Sequence, residues 1–109
     1  MRILAIDDVR ECTYANVVAR THNDGIAMLE KFGPWDELYL DHDLGARERQ
    51  YDNTGRELTG NDILVWLRNN LDKLPKKIIL ITGNPVGRKN MEATLSDISK
   101  LTKTEDEQQ

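Results

Sequence analysis

Cysteine is almost absent from this 109-residue chain. The single thiol, Cys12, excludes an internal disulfide framework and a cysteine-rich zinc site, and it fits a reducing, cytoplasmic setting. Histidine is scarce as well. His22 and His42 have no ligand-like spacing, which leaves zinc unsupported. No apolar run approaches the ~18 residues of a membrane span, and the first residues read as a strand rather than a cleavable signal segment. There is no basic excess either: 15 Lys and Arg against 19 Asp and Glu leave a formal charge of -4. That balance argues against broad binding of duplex nucleic acid or of an anionic membrane, while a local basic cluster remains compatible with holding one phosphate. The length suits one domain with a single core; residues 1–102 form it, and the polar 103–109 segment reads as a frayed tail.

What is present alternates. Residues 2–6 are a short apolar run stopped by Asp7-Asp8, the pattern of a buried parallel strand. The stretch 9–15 has no helical period, and 16–20 read as a second short strand. Thr21-His22-Asn23-Asp24 matches a capping box, after which Ile26, Leu29 and Phe32 follow at helical spacing until Gly33-Pro34. Residues 37–41 give a third strand. A charged, glycine-containing loop at 44–59 follows; loops of this length are usually functional lids or disordered. Gly60-Asn61-Asp62 opens an amphipathic helix carrying Ile63, Leu64, Trp66, Leu67 and Leu71 inward. Ile78-Ile79-Leu80-Ile81-Thr82 reads as a strand buried on both faces, and a last helix starts near Arg88 with Met91, Leu95 and Ile98 inward. The fold class is therefore α/β, a small open, mostly parallel sheet with flanking helices. One joint is awkward: the link from Asp8 to the second strand is only about ten residues, near the lower limit for a parallel crossover. Either a loop replaces the usual helix or the second strand is irregular.

Acids at the carboxyl ends of neighbouring parallel strands converge in one crevice, where hard cations and phosphate-bearing ligands bind. Asp7 and Asp8 end the first strand, and Asp41-His42-Asp43 ends the third. If that strand continues, Asp41 and Asp43 point to one side and His42 to the other. Asp41 then joins Asp7 and Asp8 in an oxygen-rich magnesium or manganese site. His42 becomes a candidate general acid or base, since its pKa falls near neutrality. In Thr82-Gly83-Asn84-Pro85-Val86-Gly87-Arg88-Lys89-Asn90 a strand ends in a hydroxyl, a glycine-containing turn follows, and a helix begins. A helix amino terminus offers free N–H donors to phosphate; Arg88 adds a planar fork, and Asn84 and Asn90 add neutral donors. The Gly83-to-Gly87 spacing is not a P-loop, which ends in Gly-Lys-Ser/Thr. Tyr51, in the long loop, is a further residue placed to touch a ligand.

The acids after the first strand, the Asp ending a middle strand and the Thr ending a later one resemble the receiver domain of two-component signalling. The resemblance implies that Asp7 and Asp8 are metal acids, Asp41 the phosphoryl-acceptor position and Thr82 the switch hydroxyl. The lysine of that family is missing: Asn84-Pro85 stands in its place, and Lys76 and Lys77 sit at the opposite end of their strand. The chain more closely resembles a trimmed variant, the cyclic-phosphate processing receiver domain. The strings that carry this resemblance are Ile6-Asp7-Asp8-Val9-Arg10, Asp41-His42-Asp43-Leu44-Gly45, Thr59-Gly60-Asn61-Asp62 and Asn84-Pro85-Val86-Gly87-Arg88-Lys89-Asn90-Met91. The resemblance implies a reduced receiver- or flavodoxin-like sheet. It further implies Mg2+ or Mn2+ at Asp7, Asp8 and Asp41, with catalysis at His42, Asp41 and Asp43. The phosphate would be bound by Thr82, Asn84, Gly87, Arg88, Asn90 and Arg10, and the partner would be a small phosphate-containing ligand or an RNA end. Two functions fit: a metal-dependent phosphoesterase acting on a cyclic phosphate, or a non-catalytic signalling or phosphate-binding module.

Overall fold

Four of the apolar runs become parallel strands in the computed structural model, which describes residues 1–107 and side chains as far as Thr102. The strands are β1 (Ile3–Ile6), β2 (Val17–Ala19), β3 (Glu37–Leu40) and β4 (Lys77–Leu80). They lie in the order β2-β1-β3-β4, every neighbouring pair parallel. Three helices complete the chain: α1 (His22–Phe32), α2 (Gly60–Arg68), which is followed by a 3₁₀ turn at Leu71–Lys73, and α3 (Pro85–Glu107). Thr21 caps α1, its side chain accepting from the Asp24 N–H. At α2 the cap is Thr59, and Asp62 makes the reciprocal contact, its carboxylate accepting the Thr59 N–H at 2.7 Å.

Alternation along the strands decides the layers. Leu4, Ile6, Leu38 and Leu40 share one face and are fully buried against Leu29, Ile63, Leu64, Leu67 and Met91 of the helices. Each such leucine stabilises the fold by about 1.5–3 kcal/mol relative to exposure. The other face carries the row Ala5, Tyr39 and Ile79, aligned by the strand register and outside that core. It is covered differently. The β1–β2 link is a loop, which resolves the awkward joint, and its Tyr14 ring lies against Tyr39 with centroids 4.5 Å apart.

Three sequence expectations are corrected. The run 78–82 is not buried on both faces; among the described residues β4 is a sheet edge paired with β3 alone, so Ile78, Ile79 and Leu80 are half-buried. The last helix begins at Pro85 rather than near Arg88, because proline fits the first helical position, where no N–H is needed. The segment read as a tail is entered by α3, which runs to Glu107; residues 108–109 lie outside the described residues. The 44–59 loop has a defined path. Leu44 enters the core, Tyr51 bridges to Glu57, and Arg56 pairs with Asp62 at 2.7 Å. Among the described residues no helix is long and apolar enough to cross a membrane.

Candidate metal and phosphate site

The chain leaves β1 toward β2 on one side and returns through α1 to β3 on the other, so the strand order reverses between β1 and β3. Loops part at such a point, and the strand ends open into a crevice. Asp7 and Asp8 follow β1; Asp41 follows β3. One carboxylate oxygen of each lies within 4.8 Å of the others, and all three residues are buried.

Their partners differ. Asp7 is fully buried; its Oδ1 accepts the Val9 and Arg10 N–H groups, each at 2.9 Å, and its Oδ2 accepts from Arg10 Nη1 at 2.8 Å. Burial pushes its pKa up, but these hydrogen bonds outweigh burial and hold it below the ordinary carboxylate value. Asp8 Oδ2 accepts the Ala46 N–H at 2.9 Å, and its carbonyl accepts Arg47 Nε at 3.3 Å, which ties the long loop to the site. Asp41 Oδ1 accepts the His42 N–H at 2.8 Å, while Oδ2 accepts from Arg10 Nη1 at 3.3 Å. Burial and the neighbouring Asp7 charge raise its pKa, against the lowering effect of hydrogen bonds from His42 and Thr82 and of Arg10. Arg10 alone does not neutralise this corner.

A cavity of about 470 Å³ opens over it, lined by Asp8, Asp41 and Asp43 together with Arg10, Thr82 and Asn84. The α3 amino terminus faces this space. Asn84 caps it, Oδ1 accepting the Gly87 N–H at 3.0 Å, and its own N–H donates to Thr82 Oγ1 at 3.1 Å. The positive helix end therefore meets the acids across one opening, an arrangement that suits a phosphate bound beside a cation.

The other expected site residues lie farther out. β3 stops at Leu40, so strand alternation does not govern 41–43. Asp43 lines the cavity and His42 does not. The His42 ring packs on Gly87, where a Cβ would lie 2.6 Å from Nδ1, and Nδ1 pairs with Asp43 Oδ1 at 2.9 Å. Arg88 is exposed and donates to the Leu80 carbonyl at 3.2 Å; Asn90 is exposed, its carbonyl accepting from Thr94 Oγ1 at 3.2 Å. Neither they nor Gly87 nor Tyr51 line the cavity. Arg20 was not singled out from the sequence, yet its Nη1 donates to the Asp7 carbonyl at 3.2 Å and also to the Arg10 carbonyl, pinning the loop that carries both. The signal was available: Arg20 directly follows β2, at the same sheet end as the acids.

Compared with known proteins, residues 2–97 match the model of the cyclic-phosphate processing receiver domain. No curated protein and no solved structure matches the chain.

Proposed function

We propose that this chain, which belongs to the cyclic-phosphate processing receiver domain family, is a divalent-metal-dependent phosphoesterase acting on a cyclic phosphate. The substrate is a cyclic nucleotide or a 2′,3′-cyclic RNA end. The observation that carries the reading is the cluster of three buried carboxylates, two of which, Asp8 and Asp41, line one cavity with Arg10 and the α3 amino terminus. The residues fit a hard cation: all three ligands are oxygens, and one guanidinium leaves three carboxylates short of positive charge. Asp7, Asp8 and Asp41 would hold Mg2+ or Mn2+, which when bound polarises a phosphoryl oxygen and lowers the pKa of a water.

The chain's own residues do the rest. Arg10, the Asn84 amide and the start of α3 orient the phosphate oxygens. Thr82 holds Asn84 and Asp41 in place through its hydroxyl. Asp43 stands in the cavity wall with its Oδ1 paired to His42 Nδ1, so this pair takes the proton from the attacking water and returns it to the leaving oxygen. Turnover of a panel of cyclic mononucleotides and cyclic-ended oligoribonucleotides with Mn2+, comparing wild type with Asp41→Ala, is the test. Mn2+-dependent hydrolysis that Asp41→Ala loses supports the proposal; no turnover, or equal turnover by both proteins, refutes it.

A second reading is a module that binds a phosphate ligand without cutting it. The position of His42 outside the cavity lining favours it. Ligand-dependent thermal stabilisation on the same panel, with every ligand recovered intact, is the outcome that selects it.

A further inference from the structure

Arg10 lines the cavity, and its Nη1 sits between two metal-ligand candidates, 2.8 Å from Asp7 Oδ2 and 3.3 Å from Asp41 Oδ2. A divalent cation shared by those carboxylates would claim the same space and the same oxygens. The two ends of the bridge are unequal. The Asp7 contact is short and closes a loop whose backbone is already fixed by Asp7 Oδ1; the Asp41 contact is longer and spans two strand ends. The Arg10 side chain is 45% exposed while its partners are 0% and 8% exposed, so the guanidinium has free volume to turn into and the carboxylates do not.

We propose that Arg10 is an exchangeable counter-ion: it fills the space between Asp7 and Asp41 when metal is absent, yields Asp41 when metal binds, and turns into the cavity to take the phosphate. The proposal rests on the metal reading above. Its physical basis is that two cations cannot share the Asp41 oxygen without repulsion, and the longer contact is the one that gives way. Metal and guanidinium then compete, while metal and phosphate help each other, since the first releases the donor that the second needs.

Titration calorimetry of the full chain with Mn2+, for wild type, Arg10→Gln and Arg10→Lys, tests it. Removing a like charge that wild type must displace to ~6 Å, on a side chain 45% exposed and so screened nearly as in water, makes Arg10→Gln bind Mn2+ on the order of tenfold more tightly than wild type. Arg10→Lys, which keeps a cation without the planar fork, falls between and serves if the glutamine variant does not fold. The sign is diagnostic, because damage to the loop would weaken binding. The second readout is inorganic phosphate: Mn2+ strengthens its binding more in wild type than in Arg10→Gln. Mn2+ affinity equal to or weaker than wild type in both variants overturns the counter-ion while leaving the metal site standing, and equal phosphate coupling overturns the release step. No Mn2+ binding by any of the three proteins overturns the metal reading and the proposal together.

Discussion

Gly60 makes the sharpest stability prediction. It is the first residue of α2, and its N–H donates to the His42 carbonyl at 2.8 Å. A Cβ added there would lie 2.9 Å from the Asp41 carbonyl carbon and 3.1 Å from His42 Cα, and closer still to the Asp41 carbonyl oxygen. These are backbone atoms of the segment that carries the site, so no side chain can swing aside. In Gly60→Ala the helix start must part from that segment by about 1 Å, and overpacking of this kind costs about 1–3 kcal/mol or more. Loss of the hydrogen bond to His42 costs about 1 kcal/mol. Alanine's helix propensity returns at most about 1 kcal/mol. The net loss is about 1–3 kcal/mol, which for a domain of this size lowers the melting temperature by on the order of 4–24 °C. Thermal unfolding followed by circular dichroism measures it, with Gly55→Ala alongside. At Gly55, φ is +85° with no atom within 4 Å, so only backbone strain of about 1–2 kcal/mol is expected. A Gly60→Ala protein that melts with wild type, or above Gly55→Ala, would show that the contact between α2 and the Asp41 segment is not as tight as described.

Two further predictions concern ionisation. Asp62 is partly buried, which pushes its pKa up, but hydrogen bonds from Arg56 and Thr59 hold it below the ordinary value. Its contribution is thus complete above the unfolded carboxylate range and is lost as pH falls through the lower folded value. Asp62→Ala should cost about 1–2 kcal/mol in urea unfolding at pH 7, with the gap from wild type closing in strongly acid solution; a gap that is independent of pH would contradict this. Asp41 is the opposite case, raised by burial and by Asp7. The native state binds its proton more tightly than the unfolded chain does, so the charged form costs stability, and that cost grows as pH rises through the interval between the two values. In chelator at neutral pH, Asp41→Asn should melt a few degrees above wild type, converge with it below the ordinary carboxylate range, and gain nothing from Mn2+. Melting below wild type throughout would refute the sign.

The acids at the ends of β1 and β3 were legible because a parallel sheet puts all its carboxyl ends on one side, so Asp7, Asp8 and Asp41 had to meet once the strands were recognised. The Asn84 turn was legible for the same reason. His42 was legible only as to side. Alternation past Leu40 turns it away from Asp41 and Asp43, and it does lie outside the cavity that both line, although β3 ends at Leu40 and the ring is seated against Gly87. β4 was read as central because an unbroken apolar run looks alike whether or not a further strand covers it; a local pattern does not count strands. The last helix reads from Arg88 because its apolar period starts at Met91, whereas Pro85 opens it. That Arg10 folds back onto the acids depends on a turn centred on Asp7 Oδ1, which no spacing rule reports.

The loop between β1 and β2 has one more consequence. In place of a helix, a single short stretch carries Asp7, Asp8 and Arg10 at one end and lays Tyr14 on Tyr39 at the other. Between them Cys12 adopts the left-handed conformation at φ 52°. The acidic corner and the back of the sheet are therefore held by one continuous stretch of chain, so the Tyr14–Tyr39 contact limits the paths open to the loop that carries Asp7, Asp8 and Arg10.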